Sequence, residues 1–489
     1  MILGTMSNAG KSTLAAGLCR ILTQDGFKVA PFKSQNMALN SFVTVDGLEM
    51  SRAQAVQAEC CRCEPSVCMN PILLKPSGNA QSQVIVLGEV FGEYRAANYY
   101  HMKKMLREKV VAAYKRLQKE NDIVVIEGAG SPVELNLNKD DFVNMGMAKI
   151  ADAPCLLVGD INLGGIFAQM YGTMQLLKRK ERKRIKGMII NKFRGDIKLF
   201  ESGVKIMQKK CGTDVLGVLP YMDRELDAED SLTARFQKHR SASLINIAVI
   251  HLPHIAHFTD FAILEATKNI SVNYVTDTDM FETYDIVIIP GTQNPMSDAA
   301  WLRKNAFDTK IAEHVHAGKL LFGIGGGCSI LGKKIAGSAL GENTSGEAEG
   351  LHLLPIEAKC ASVETRCRFS GTGTARAENI FAGAAVDGYE IQSGKISLCG
   401  NAAPLIHDTQ GKAEGCFLHP VYACSVHGFF DSEEVRRRLF DFVARQKNIN
   451  PAQFELLSPR AEREKTYEAL AQTMREHLDM QKIKKIIGV

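Results

Sequence analysis

The chain opens Met1-Ile-Leu-Gly-Thr-Met-Ser-Asn-Ala-Gly-Lys-Ser-Thr13, an apolar run, then a loop of small residues, then Lys11, Ser12 and Thr13 at the head of a helical pattern. This reads as a phosphate-binding loop. Gly4 and Gly10 let the backbone curl with its N–H groups inward, Lys11 adds positive charge, and the Ser12 or Thr13 hydroxyl suits Mg2+. The predicted ligand is therefore a nucleotide's phosphates with Mg2+. A glycine-rich helix start is the competing reading, and the strand pattern before and amphipathic pattern after the loop weigh against it.

From Lys11 to about Gln24, Leu14, Leu18 and Ile21 recur at helical spacing, Gly26 stops the helix, and Lys28-Val-Ala-Pro-Phe32 predicts the next strand. The segment Lys33-Ser-Gln-Asn-Met-Ala-Leu-Asn40 follows at the strand end, where open α/β sheets bind ligands. Lys33, Gln35 and Asn36 are candidate substrate contacts there, with a solvated loop lysine as the plainer reading of Lys33. Asn70-Pro-Ile-Leu-Leu-Lys-Pro76 adds Lys75 to that set. The strand Asp122-Ile-Val-Val-Ile126 runs into Glu127-Gly-Ala-Gly-Ser-Pro132, placing a carboxylate beside residues too small to obstruct it. Glu127 and Ser12 are the candidate Mg2+ ligands. Pro154-Cys-Leu-Leu-Val-Gly-Asp160 repeats the strand-then-acid arrangement, and Asn191, ending Gly187-Met-Ile-Ile-Asn191, is positioned to read an adenine edge.

Alternating strands and helices continue to about Leu232 and predict a doubly wound parallel sheet. The expected domains are 1–234, a phosphate-loop α/β domain; 235–244, a polar linker; 245–447, a second α/β domain; and 448–489, a helical tail with Tyr467, Leu470, Met474 and Leu478 on its packing face. With 489 residues, 45% hydrophobic and 23% charged, the chain is long enough for two or three cores. A formal net charge of +5 is small for this length and points to neither nucleic acid nor a membrane surface. The apolar runs are shorter than a membrane span and the N-terminus is a polar loop, so a cytoplasmic chain with its 13 cysteines as free thiols is expected. Cys60, Cys61, Cys63 and Cys68 lack the paired spacing of a metal site.

Several longer motifs carry a family resemblance: GTMSNAGKS, PFKSQNMALNS, DGLEMSRAQAVQA, MNPILLKP, SQVIVLGE, VVIEGAGSPVELNL, NKFRGD, AEDSL, PGTQNPMSDAAWLR, GYEI and HGFFD. Together they resemble the cobyric acid synthase family along nearly the whole chain. The opening loop, with Thr5 after Gly4 and Gly4 six positions before Gly10, is similar to that of dethiobiotin synthetase and related carboxylate-activating enzymes. The resemblance implies a P-loop amidoligase domain joined to a class I glutamine amidotransferase-like domain. It implies ATP-dependent amidation of peripheral carboxylates of the corrinoid adenosylcobyrinic acid a,c-diamide through acyl phosphates, with Lys11 and Mg2+ stabilising the transferring phosphoryl group. Nitrogen would come from glutamine or ammonia.

In that family a strand-turn-helix elbow presents a cysteine nucleophile in the pattern Gly, apolar, Cys, Gly, Gly, with a histidine as base. Here the elbow is Phe322-Gly-Ile-Gly-Gly-Gly-Cys328, and Gly325 occupies the nucleophile position. His427, in Ser425-Val-His-Gly-Phe429, matches the base. The leading expectation is a synthase whose glutaminase half has lost its nucleophile and which takes free ammonia or ammonia from a separate glutaminase. The alternatives are a relocated nucleophile, Cys328, and a non-catalytic corrinoid- or nucleotide-binding homologue. For the last, Asn162-Leu163 in place of the family's Asp-Arg before Gly164-Gly165 is the main argument. Gln392 also replaces a usual His, and the first strand is short enough that a start upstream of Met1 would explain it.

Overall fold

The structure, a computed structural model, describes residues 1–38, 40–78, 81–136, 140–222, 236, 241–337 and 346–489. Parallel strands form the first half in the order Val29–Phe32, Ile123–Ile126, Ile2–Gly4, Cys155–Asp160, Ile185–Phe193, Val215–Pro220, with a bridge from Ile2 to Glu127 joining the two parts. Near-continuous apolar runs such as Ile123-Val-Val-Ile126 are what a sheet covered on both faces requires. The loop after Ile2–Gly4 enters the helix Lys11–Gln24 through Gly10 at φ 98°, a left-handed conformation that glycine adopts without steric cost. The fold therefore delivers the phosphate loop, the Lys33 segment and Glu127 to one end of adjacent strands.

A four-stranded sheet, Gln35–Met37, Ile72–Gly78, Gln81–Val86, Glu89–Arg95, stands beside this end. The short hairpin of Ser41–Val43 with Glu49–Ser51 leads straight into the helix Arg52–Cys60. The second half has a central sheet in the order Ile270–Val275, Ile245–Ile250, Ile286–Ile289, Leu320–Ile324, Val421–Cys424, Cys416–Leu418, parallel except for the last strand. Against it lies a second sheet dominated by the long antiparallel pair Ile356–Gly373 and Ala385–Leu398. The mixed α/β architecture is the one expected.

The tail forms helices Pro459–His477 and Met480–Ile487, and Tyr467, Leu470, Met474 and Leu478 join the apolar core beneath the Lys11–Gln24 helix. At Gly17 the two helices approach so closely that a β-carbon would stand 2.0 Å from Met474 Sδ. The fully buried Arg20 bonds Glu468 at 2.7 Å and also Glu464, tying the Pro459–His477 helix to the first helix. Half of the expected linker, and the AEDSL motif, lie outside the described residues. Within the linker, Phe236 is packed at 4.5 Å from the His251 ring and 4.8 Å from Tyr274, as part of the second half. All 13 cysteines are free thiols. Among the described residues no helix is long and apolar enough to cross a membrane, and no group of three or more acidic, His or Cys side chains could hold a metal on its own.

Candidate active sites

Glu127 is fully buried at the end of its strand and is the centre of the first site. Its Oε1 accepts from Ser12 Oγ at 2.7 Å and from Lys33 Nζ at 2.8 Å, while Oε2 accepts from Gln57 Nε2 at 2.6 Å and Gln54 Nε2 at 3.4 Å. Burial opposes its ionisation, but Lys33 and these donors outweigh that and hold the carboxyl below its usual range. Gln54 and Gln57 lie three residues apart on the Arg52–Cys60 helix, hence on one face. Sequence reading did not single them out; the signal was the i, i+3 pair of amides on a helix opposite a strand-end acid.

Lys11, buried within the loop, donates to Met6 O at 2.9 Å and Gly130 O at 3.1 Å. A β-carbon at Gly4 would meet its side chain at 2.9 Å, so that glycine makes room for the lysine. Thr5 Oγ1 bonds Gln169 Oε1 at 3.2 Å, and Thr13 sits in the first helical turn. Asn191 is turned toward the loop from beneath: its Nδ2 donates to Ala9 O at 3.0 Å, and its buried Oδ1 has no hydrogen-bond partner among the described residues. Asn36 donates to Ser51 Oγ at 2.6 Å and Gln54 Oε1 at 3.0 Å, and Gln35 Oε1 accepts from Tyr99. Lys33 is thus committed to Glu127, and Lys75 to another buried carboxylate, Glu49, at 3.0 Å. Asn162, in the altered loop, accepts from Arg194 Nε at 2.9 Å, while Leu163 is exposed.

The second site is the elbow. Leu320–Ile324 turns at Gly325, with φ 54° and ψ −122°, into the helix Gly326–Leu331. A β-carbon built there would point at His427, 2.9 Å from Cε1 and 3.3 Å from Nε2. His427 Nδ1 pairs with Asp260 Oδ2 at 2.8 Å, and these two residues line a cleft between the halves of about 1660 Å3. Asp260 was not anticipated. It comes from a short helical turn 167 residues away in sequence and orients the imidazole. His257 stacks on His427 at 4.1 Å; burial, then His427 and Lys75, push its pKa well down, so it is neutral. Cys328 Sγ instead bonds Gly323 O at 3.1 Å, and burial, followed by Cys424 and Glu414, pushes the thiol well up. The side chain of Gln392 lies outside the described residues.

With this geometry, residues 1–233 match the CobQ/CobB/MinD/ParA nucleotide binding domain and residues 246–435 the CobB/CobQ-like glutamine amidotransferase domain. Fold and site together define a two-domain, ATP-dependent amidating ligase. Over 499 residues, all of this chain and 96% of the relative, it is 44% identical to the cobyric acid synthase of Ruminiclostridium cellulolyticum. It is 43% identical to that of a Thermoanaerobacter species, covering 98% of the relative, and 44% identical to that of Lachnoclostridium phytofermentans, again covering 98%. The chain belongs to the cobyric acid synthase family.

Proposed function

We propose that the chain amidates peripheral carboxylates of a corrinoid, adenosylcobyrinic acid a,c-diamide in its family, with ammonia that its own second domain does not release. The observation that carries this is Gly325: a turn with the backbone of a nucleophile elbow, aimed at an oriented His–Asp pair, bearing no side chain. A base without its thiol forms no thioester.

The first half supplies what carboxylate activation needs. A substrate carboxylate oxygen attacks the γ-phosphorus of ATP and ADP departs; ammonia then adds to the acyl carbon, phosphate departs, and nitrogen loses a proton. Lys11 offsets charge on the transferring phosphoryl group. The residues present fit Mg2+: a hydroxyl and a fully buried carboxylate 2.7 Å apart, beside Gln57 Oε1, a buried oxygen without a hydrogen-bond partner among the described residues. Ser12 and Glu127 would hold the ion, which supplies charge neutralisation at the phosphates. Asn191 props the loop through Ala9, and Lys33 keeps Glu127 ionised and fixed.

The test is ATP-dependent mass gain of the corrinoid diamide with an ammonium salt or with glutamine at equal nitrogen. Product with ammonium alone supports the reading; equal product with glutamine alone defeats it. Bound substrate with no ATP consumption in either arm would favour a binding protein.

A further inference from the structure

The two halves meet through a buried ion cluster. Glu49 is fully buried, and its carboxylate takes Lys75 Nζ at 3.0 Å on Oε1 and Arg366 Nε at 2.5 Å on Oε2. Lys75 comes from the first half; Arg366 comes from the long strand Ile356–Gly373 of the second. Burial opposes ionisation of Glu49, and the two cations outweigh it and hold the carboxyl below its usual range. The hairpin bearing Glu49 has a second hold, Tyr389 OH donating to Ser41 O at 3.3 Å, while Ser41 pairs with Ser51 across the hairpin.

What this hairpin leads to gives the cluster its meaning. Glu49–Ser51 runs without a loop into the Arg52–Cys60 helix, whose Gln54 and Gln57 bond Glu127. Asn36 braces the junction, bonding both Ser51 and Gln54. Between Glu49 and Gln57 there are only one strand end and fewer than two turns of helix, a stiff connection. We propose that Arg366 is a positioning residue for the ATP reaction: by closing the Glu49 cluster it fixes residues 49–57 in the register from which Gln54 and Gln57 hold Glu127 for the metal-bound nucleotide. The proposal deepens the ligase reading, on which its functional consequence rests. It also gives the second domain a task that needs no nucleophile, which is a reason for a chain with Gly325 to keep its elbow, its His–Asp pair and its sheet intact.

The experiment uses the full chain and the variants Arg366→Met, Arg366→Lys, Gln57→Leu and the double variant R366M/Q57L. Binding of a non-hydrolysable ATP analogue is followed by calorimetry across a Mg2+ titration, alongside the ammonium-dependent rate. R366M is expected to weaken Mg2+-dependent analogue binding about tenfold and to lower the rate, with the KM for ammonium unchanged. Arg366→Lys restores most of the binding, and R366M/Q57L binds no worse than Q57L, because both act through one carboxylate. Wild-type binding by R366M, or multiplying effects in the double variant, overturns the proposal. Should R366M not fold, Tyr389→Phe, which removes only the hydroxyl on Ser41 O, carries the same titration with a smaller shift expected and none as the contrary result. Parent protein that binds the analogue but makes no amide would sink the ligase reading while leaving the binding comparison decisive for Arg366.

Discussion

Gly325 lies directly against His427: a β-carbon there would stand 2.9 Å from Cε1 and 3.3 Å from Nε2, closer than a β-carbon normally comes, so any side chain at this position makes the imidazole shift. The backbone at Gly325 has φ 54°, where a residue with a side chain carries strain of about 1–3 kcal/mol. Gly325→Cys is therefore expected to lose some stability, from the strained backbone and the displaced imidazole, and to gain glutamine hydrolysis about a hundredfold over the parent, because Asp260 still holds the base beside the new thiol. Release of ammonia from glutamine measures it. No gain would mean that the pocket has lost more than its nucleophile.

Cys328 tests the opposite idea. Its thiol bonds Gly323 O and is buried with a raised pKa, so Cys328→Ala should leave ammonium-dependent turnover and glutamine hydrolysis within about twofold of the parent. A loss of glutamine-dependent product in that variant, with the ammonium rate intact, would restore the relocated-nucleophile reading.

Lys33 and Glu127 form a fully buried pair, and removing one partner of such a pair costs about 3–5 kcal/mol because the other charge is stranded. Gln57, Gln54 and Ser12 still donate to Glu127, so Lys33→Met should fall at the low end of that range. Its ammonium-dependent kcat is expected to drop at least about a hundredfold. Denaturant unfolding and steady-state rates separate the two effects, and a normal kcat would remove Lys33 from the site.

A pH effect should come from the second half. Burial, reinforced by the neighbouring Glu390, pushes the Glu414 carboxyl up to about 7, although Ser425 N at 3.0 Å and the Ser425 hydroxyl both donate to it. Because the folded state keeps this proton to higher pH than the unfolded chain, whose value is 4.5, stability is full below 4.5 and falls as pH rises toward 7. Glu414→Gln keeps a neutral group there and should flatten that fall, gaining about 3 kcal/mol relative to the parent above pH 7. Parallel stability curves for parent and variant would contradict this.

The parts of these sites set by local pattern were legible in the sequence. The helix predicted from Lys11 to Gln24 is observed at those residues, Glu127 does end a central strand, and the elbow does put Gly325 opposite His427. Arrangements set by tertiary packing were not. Asp260 reaches His427 from 167 residues away, and Gln54 and Gln57 find Glu127 only once their helix docks against the sheet. The sheet of residues 35–95 and the long pair at 356–398 were also missed. In strands such as Glu89–Arg95, with exposed Val90 and Phe91, and Ala385–Leu398, with two glycines, the alternation that marks a half-buried strand is weak. Lys75, a candidate substrate contact, is buried against Glu49, a carboxylate that also takes Arg366 from the other half, and that pairing across the halves has no local signature.

The most direct measurement supplies both nitrogen sources at once: 15N-ammonium and unlabelled glutamine at equal concentration, with ATP, Mg2+, the corrinoid diamide and the purified chain, and reads the mass of each new amide. If Gly325 has silenced the second domain, every new amide carries 15N. Unlabelled amide nitrogen in the product would show glutamine feeding the reaction and contradict the account.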